Sequence, residues 1–167
     1  MSSHSRHNTH DKYRSRLDNL LKSYVEKDKD VDTDPESQAH VAKYLAILVS
    51  GYLEQAIKEL LFDYVQQGAR PQVTSYVKKT WPSSKNMKTD NIKSILQQFN
   101  STWAEEFADW LIQEENRKGD INTIVEWRNR IAHGQESNTN GVTLYSVGAK
   151  FATARNLVSL IESMVRS

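Results

Sequence analysis

The chain is predicted to fold as an all-α helical bundle, with two long central helices and shorter helices around them. Three observations carry that prediction. Apolar residues recur at three- and four-residue steps through most segments. Helix-starting and helix-ending residues stand at the segment borders. No stretch alternates apolar and polar residues as a half-buried strand would. The 167 residues suit one domain with a core of its own.

The first ten residues are polar and His-rich, so residues 1–10 are expected to form a flexible terminus and 11–167 the single folded domain. His4, His7 and His10 repeat every third residue, a spacing that can gather imidazoles around a metal. In a polar terminal segment the plainer reading is a frayed end, and no metal or other cofactor is expected. Tyr13, Leu17, Leu20, Leu21 and Tyr24 then mark an amphipathic helix from about Asp11 to Lys27. A polar connector runs from Asp28 to Asp34.

Asp34-Pro35-Glu36 is a helix start: Asp caps free amides, Pro suits the first helical position, and Glu opposes the positive dipole end. The helix it opens should reach Gln67, with Gly68 ending it. Its interior from Val41 to Val65 is apolar around much of its circumference, the mark of a central helix. Between Pro71 and Trp81 the pattern predicts a short helix or turn, and Pro82-Ser83-Ser84 a loop. Ile92, Ile95, Leu96 and Phe99 predict a further amphipathic helix. Thr102-Trp103-Ala104-Glu105 reads as a capping box opening the next, with Trp103, Phe107, Trp110 and Leu111 on one side. A break is expected at Gly119-Asp120. A helix carrying Ile121, Ile124, Val125, Ile131 and Ala132 should then end at Gly134. Asn140-Gly141 predicts a loop with a small hairpin around Val142 to Tyr145. The closing helix carries Phe151, Ala154, Leu157, Val158, Leu160, Ile161, Met164 and Val165.

Composition limits the chemistry. The absence of cysteine excludes disulfides, thiolate catalysis and Cys-ligated zinc. No segment reads as a signal peptide or a membrane span, so the expected location is the cytoplasm. With 22 basic and 21 acidic residues the net charge is only +1, so any nucleic-acid binding has to come from a local patch. One such patch lies between Arg70 and Lys93. There Arg70, Lys78, Lys79, Lys85, Lys88 and Lys93 face only Asp90, with Tyr76 and Trp81 interleaved. Basic side chains beside aromatics can contact phosphates and stack on bases, although the plainer reading is a solvated lysine-rich connection.

The strongest chemical signal is Trp127-Arg128-Asn129-Arg130-Ile131-Ala132-His133-Gly134. Arg128 takes a position in the apolar stripe where Leu or Ile is expected, and a cation so placed needs a partner or a task. Glu54 is a candidate partner, on a helix face whose small pair Ser50-Gly51 permits close approach. His133 stands in the last helical turn, where free carbonyls and the negative dipole end favour an imidazolium. That suits proton transfer near neutral pH. Arg128 and Arg130 offer permanently charged forks that can hold a phosphate and stabilise the charge of a five-coordinate phosphorus. RNA cleavage by the ribose 2′-hydroxyl needs only these functions, with no metal and no protein nucleophile. At about 100° per residue Asn129 and His133 share a helix face, whereas Arg128 is about 140° around from His133. Either the arginine reaches around the helix or two copies of the chain each supply half of a cleft.

At these residues the chain resembles HEPN domains, whose Arg-x4-6-His signature often has Asn after the Arg, and it looks most similar to the stand-alone RiboL-PSP type. The resemblance covers most of the chain, including Gly51-Tyr52-Leu53-Glu54 in the long helix. It implies a homodimeric, metal-independent endoribonuclease, often a toxin or defence effector, regulated by an antitoxin or another partner protein. The roles it implies fall on Arg128 and His133 as catalytic residues and Asn129 as a positioning residue. In this reading Glu54 supports Arg128, and Arg130, Lys78 and Lys79 contact the RNA substrate. Some relatives carry a Tyr two residues after the His as a modification site; here that position is Gln135. The rival expectation is a non-catalytic module that binds a partner protein or nucleotide, with Arg128 at the interface.

Overall fold

Apolar side chains covering a helix on nearly all sides have to be enclosed by other helices. In the computed structural model of the chain that requirement organises the fold around one 34-residue helix. The structure describes residues 9–27, 34–82, 85–135 and 139–167. Among them lie seven helices: α1 (Thr9–Lys27), α2 (Pro35–Gly68), α3 (Pro71–Thr80), α4 (Thr89–Phe99), α5 (Ser101–Gln113), α6 (Asn116–Ala132) and α7 (Leu144–Arg166). No described residue is in a strand, and no helix is long and apolar enough to cross a membrane.

α2 starts as its sequence requires. Pro35 opens it, and the Asp34 carboxylate accepts from the Ser37 amide at 3.1 Å. The hydrogen bonds from Ser37 hold that carboxyl below the ordinary carboxylate range. From Ala42 to Val65 α2 is buried against α7, α6 and α1. Leu45, Leu53, Ile57 and Leu61 have no exposed surface. α4 and α5 form a pair that closes on α6, and α3 rests on the C-terminal half of α2. Trp103, Trp110 and Trp127 all belong to the core.

Several boundaries differ from expectation, each for a local reason. α1 begins at Thr9 and includes His10, which is 1% exposed. Glu59 of α2 accepts from the His10 amide at 3.0 Å and its Oε2 lies 3.1 Å from the His10 Nδ1. His10 is therefore tied into the bundle rather than frayed. His4, His7 and the connector at 28–33 lie outside the described residues. The start of α5 is capped by Asn100, whose side chain accepts from the Thr102 amide at 2.9 Å, two residues before the expected cap at Thr102. α5 and α6 part at Glu114-Glu115, not at Gly119-Asp120. Arg117 closes that break by donating to the Trp110 carbonyl at 2.7 Å while its guanidinium lies over the Trp110 ring. Asp120 faces inward, accepting from Lys150 at 3.1 Å, Thr153 at 2.8 Å and Asn116 at 2.9 Å. Val142 to Tyr145 forms no hairpin. A capping box starts α7 there, with the Ser146 amide donating to Thr143 Oγ1 at 3.0 Å and the Thr143 amide to Ser146 Oγ at 2.9 Å.

One feature of the core is costly. The Tyr52 ring has no exposed surface and packs edge-on against Tyr13 and Phe151. Its hydroxyl has no hydrogen-bond partner among the described residues. Burial pushes the Tyr52 phenol up from 10 to about 12. The folded state thus favours the neutral phenol, and stability falls as pH rises from about 10 toward 12 because the unfolded chain ionises first. Tyr52→Phe should be neutral or stabilising by up to about 1 kcal/mol at pH 7 and should delay alkaline unfolding. Urea unfolding at both pH values checks this; a loss of more than about 2 kcal/mol at neutral pH would show that the hydroxyl is satisfied.

Candidate functional site

α6 ends in a closure that fixes the histidine. Gly134 adopts φ +69°, the left-handed conformation that favours glycine. Its amide donates to the Ile131 carbonyl at 3.1 Å, and the Gln135 amide to the Arg130 carbonyl at 2.9 Å. This pair of bonds is the Schellman arrangement. The His133 amide donates to the Asn129 carbonyl at 3.1 Å, so His133 is held on the last turn of the helix.

The buried face of α6 is made by Ile121, Ile124, Val125 and Trp127. Arg128 stands at the angle of that face, between Ile121 and Ile124, but the neighbouring helices do not cover it. It is exposed, and Trp127 beside it is the residue that turns into the core. Taking Val125 as zero, Arg128 projects at about −60°, Asn129 at about +40° and His133 at about +80° around the axis. Val125 and Asn129 therefore form a floor that Arg128 and His133 flank. All four line one cleft of about 300 Å³. The 140° between the cation and the imidazole is the width of that cleft, so a single chain brings them together.

The opposite wall comes from α2, where Ser50 and Glu54 stand one turn apart and face the same cleft. Ser50 is 6% exposed, its small side chain allowing α2 to lie close to α6. The Arg128 guanidinium donates from Nη1 to Asn129 Oδ1 at 3.2 Å. Among the described residues no carboxylate forms a salt bridge with Arg128, Glu54 included. Arg128 thus presents a guanidinium held by a neutral neighbour, with donors left for an anion.

A third wall is the strap at Lys85-Asn86-Met87. Met87 is 2% exposed and anchors it in the core. The Thr89 amide and hydroxyl both donate to Asn122 Oδ1 of α6, at 2.9 and 3.2 Å. The Asn86 side-chain oxygen accepts from the Lys88 amide at 3.2 Å and from Asn91 at 3.1 Å. Lys85 and Asn86 are consequently fixed beside the motif. In the sequence Lys85 stands out only as part of a basic stretch, and Asn86 and Asn122 do not stand out. Nothing in their spacing relates them to α6, because the relation is made by tertiary packing.

The remaining expected site residues lie outside the cleft. Arg130 pairs with Glu126 on its own helix. Lys78 and Lys79 are exposed on the last turn of α3, with the Lys78 ammonium 6.0 Å from the Phe62 ring. Among the described residues, no group of three or more His, Asp or Glu side chains is placed to hold a metal ion.

With Arg128, Lys85 and His133 facing one carboxylate, the cleft is suited to an anion flanked by a proton-transfer group. A family model described as RiboL-PSP-HEPN matches residues 11–166. Neither the curated proteins nor the solved structures yield a match.

The closure of α6 makes a direct prediction. A Cβ at Gly134 would meet nothing within 4 Å, so only its backbone conformation is at stake. Gly134→Ala should cost about 1 kcal/mol in urea unfolding, and Gly68→Ala, at a position with no positive φ, should cost less. Equal costs would contradict the closure.

Proposed function

The chain belongs to the RiboL-PSP-HEPN family, and from that premise we propose that it is a metal-independent endoribonuclease that cleaves single-stranded RNA through its own 2′-hydroxyl. The observation that carries this reading is the shared cleft: Arg128, Asn129 and His133 line one small space with Glu54 across from them.

His133 takes the proton from the ribose 2′-hydroxyl. The 2′-oxygen forms its bond to phosphorus, the phosphorus–5′-oxygen bond breaks, and the imidazolium returns a proton to the departing 5′-oxygen. The products are a 2′,3′-cyclic phosphate and a 5′-hydroxyl. Arg128 holds the non-bridging oxygens and stabilises the charge that grows on them. Asn129, which accepts from Arg128 at 3.2 Å, orients that guanidinium. Glu54 bears on Arg128 through its charge from the facing wall. Lys85 adds a second cation to the cleft. Arg130, Lys78 and Lys79 contact phosphates away from the scissile one.

The working unit in this reading is a homodimer acting in the cytoplasm as a toxin or defence effector, restrained by an antitoxin or another partner protein. The openness of the site supports the dimer: Arg128 and His133 are both exposed, which leaves room for a second copy over the cleft.

Purified protein incubated with single-stranded RNA in excess chelator should produce fragments ending in cyclic phosphate. His133→Ala and Arg128→Ala should each slow this about a hundredfold or more. Arg128→Lys should not restore it, since a point charge cannot reproduce the planar fork. Fragmentation no faster with wild type than with either alanine variant would refute the endoribonuclease reading and leave the bundle as a binding module. Light scattering in the same buffer should give twice the chain mass.

A further inference from the structure

A cavity larger than the cleft lies elsewhere in the bundle. A groove of about 810 Å³ opens between the C-terminal end of α2, α3, α4 and the end of α7. Its walls include Tyr64, Tyr76, Val77, Trp81, Ile95 and Phe99. Its volume is that of sites which enclose small planar ligands. α3 buries none of its residues, and Tyr64 and Tyr76 are 43% and 68% exposed. An amphipathic helix that leaves Val73 and Tyr76 open is not explained by the stability of the bundle.

Two observations identify an occupant. The first is charge. The stretch from Arg70 to Lys93 that supplies α3 and the strap carries six basic residues against Asp90 alone. An apolar groove beside such a stretch suits a polyanion with flat apolar faces, which describes single-stranded nucleic acid. The second is continuity with the cleft. Trp81 and Pro82 line the groove, whereas Lys85, Asn86 and Met87 line the cleft. The Lys85 amide donates to the Pro82 carbonyl at 3.1 Å. The wall of one cavity and the wall of the other therefore meet at a single backbone hydrogen bond.

We infer that the groove is a nucleobase subsite for the RNA strand whose scissile phosphate occupies the cleft. The inference rests on the endoribonuclease reading and adds where the flanking strand goes. The strand runs from the cleft wall at Lys85 to the groove wall at Pro82, a flanking base enters the groove against Tyr76 and Trp81, and Lys78 and Lys79 hold its phosphates. Trp81 is braced for this, its ring lying edge-on to Phe62 at 5.1 Å. The subsite makes the enzyme select for unpaired RNA long enough to span both cavities, because a paired base cannot present its face.

The test uses the full chain and a fluorescent deca-uridylate blocked by 2′-O-methyl groups, so that binding is read without cleavage. Tyr76→Ala should weaken binding of the decamer about tenfold and leave unchanged the binding of a uridine dinucleotide blocked in the same way, too short to reach the groove, while Tyr76→Phe binds as wild type. Tyr76 is a surface residue, and an unchanged circular dichroism spectrum confirms that the variant is folded. A decamer bearing one 4-thiouridine should cross-link to the Tyr76-to-Trp81 segment. Equal decamer affinity in wild type and Tyr76→Ala, with RNA still cleaved, overturns the subsite alone and leaves the groove to a protein partner. Wild type that neither binds the decamer nor cleaves RNA overturns the endoribonuclease reading and the subsite with it.

Discussion

The fold depends on the enclosure of α2. A helix of 34 residues with buried side chains from Ala42 to Val65 cannot remain in water, and only neighbours on several sides can cover it. α1, α6 and α7 are those neighbours. Each is amphipathic in the ordinary sense, with one face for α2 and one for solvent. The central helix thus specifies how many partners the bundle needs and where they lie. Peripheral ties such as Asp18 with Arg155 at 2.9 Å, or His10 with Glu59, hold partners that are already required by the apolar packing.

The candidate site is a consequence of that packing. α6 lies close to α2 where Ser50 is small, and polar residues at the edge of the contact are left facing one another. Glu54 comes from α2, Arg128, Asn129 and His133 from α6, and Lys85 and Asn86 from the strap that Met87 and Thr89 pin down. None of these groups is deeply buried, so the desolvation penalty that would neutralise or unfold a charged core is avoided. The site is shaped by helices and stays open to solvent at Arg128 and His133.

Much of this was legible in the sequence because the signals are local. The caps at Asp34 and Gly134, the three- and four-residue spacing of apolar positions, and the Arg-Asn-x-x-x-His pattern are read within a few residues. What was not legible is set by contacts between distant segments. Arg128 was expected in the apolar stripe. Periodicity alone does not tell a position that neighbouring helices cover from one on the same stripe that they leave open, as they leave Arg128 beside the buried Trp127. Gly119-Asp120 looked like a break, but Asp120 is held inside α6 by Lys150 and Thr153 of α7. His10 looked like part of a loose terminus until Glu59, 49 positions away, is seen to take it up. The strap beside the cleft showed in the sequence only as basic charge at Lys85, with nothing to relate it to α6.

The central claim is that Arg128 and His133 act on one phosphate in one cleft, not as two independent contributors to a basic surface. A double-mutant cycle on the rate of RNA cleavage tests this most directly, using Arg128→Ala, His133→Ala and the pair together. Residues that act as a unit lose nearly everything when the first is removed, so the double variant should be about as slow as the slower single one. A double variant whose loss equals the product of the two single losses would contradict the account.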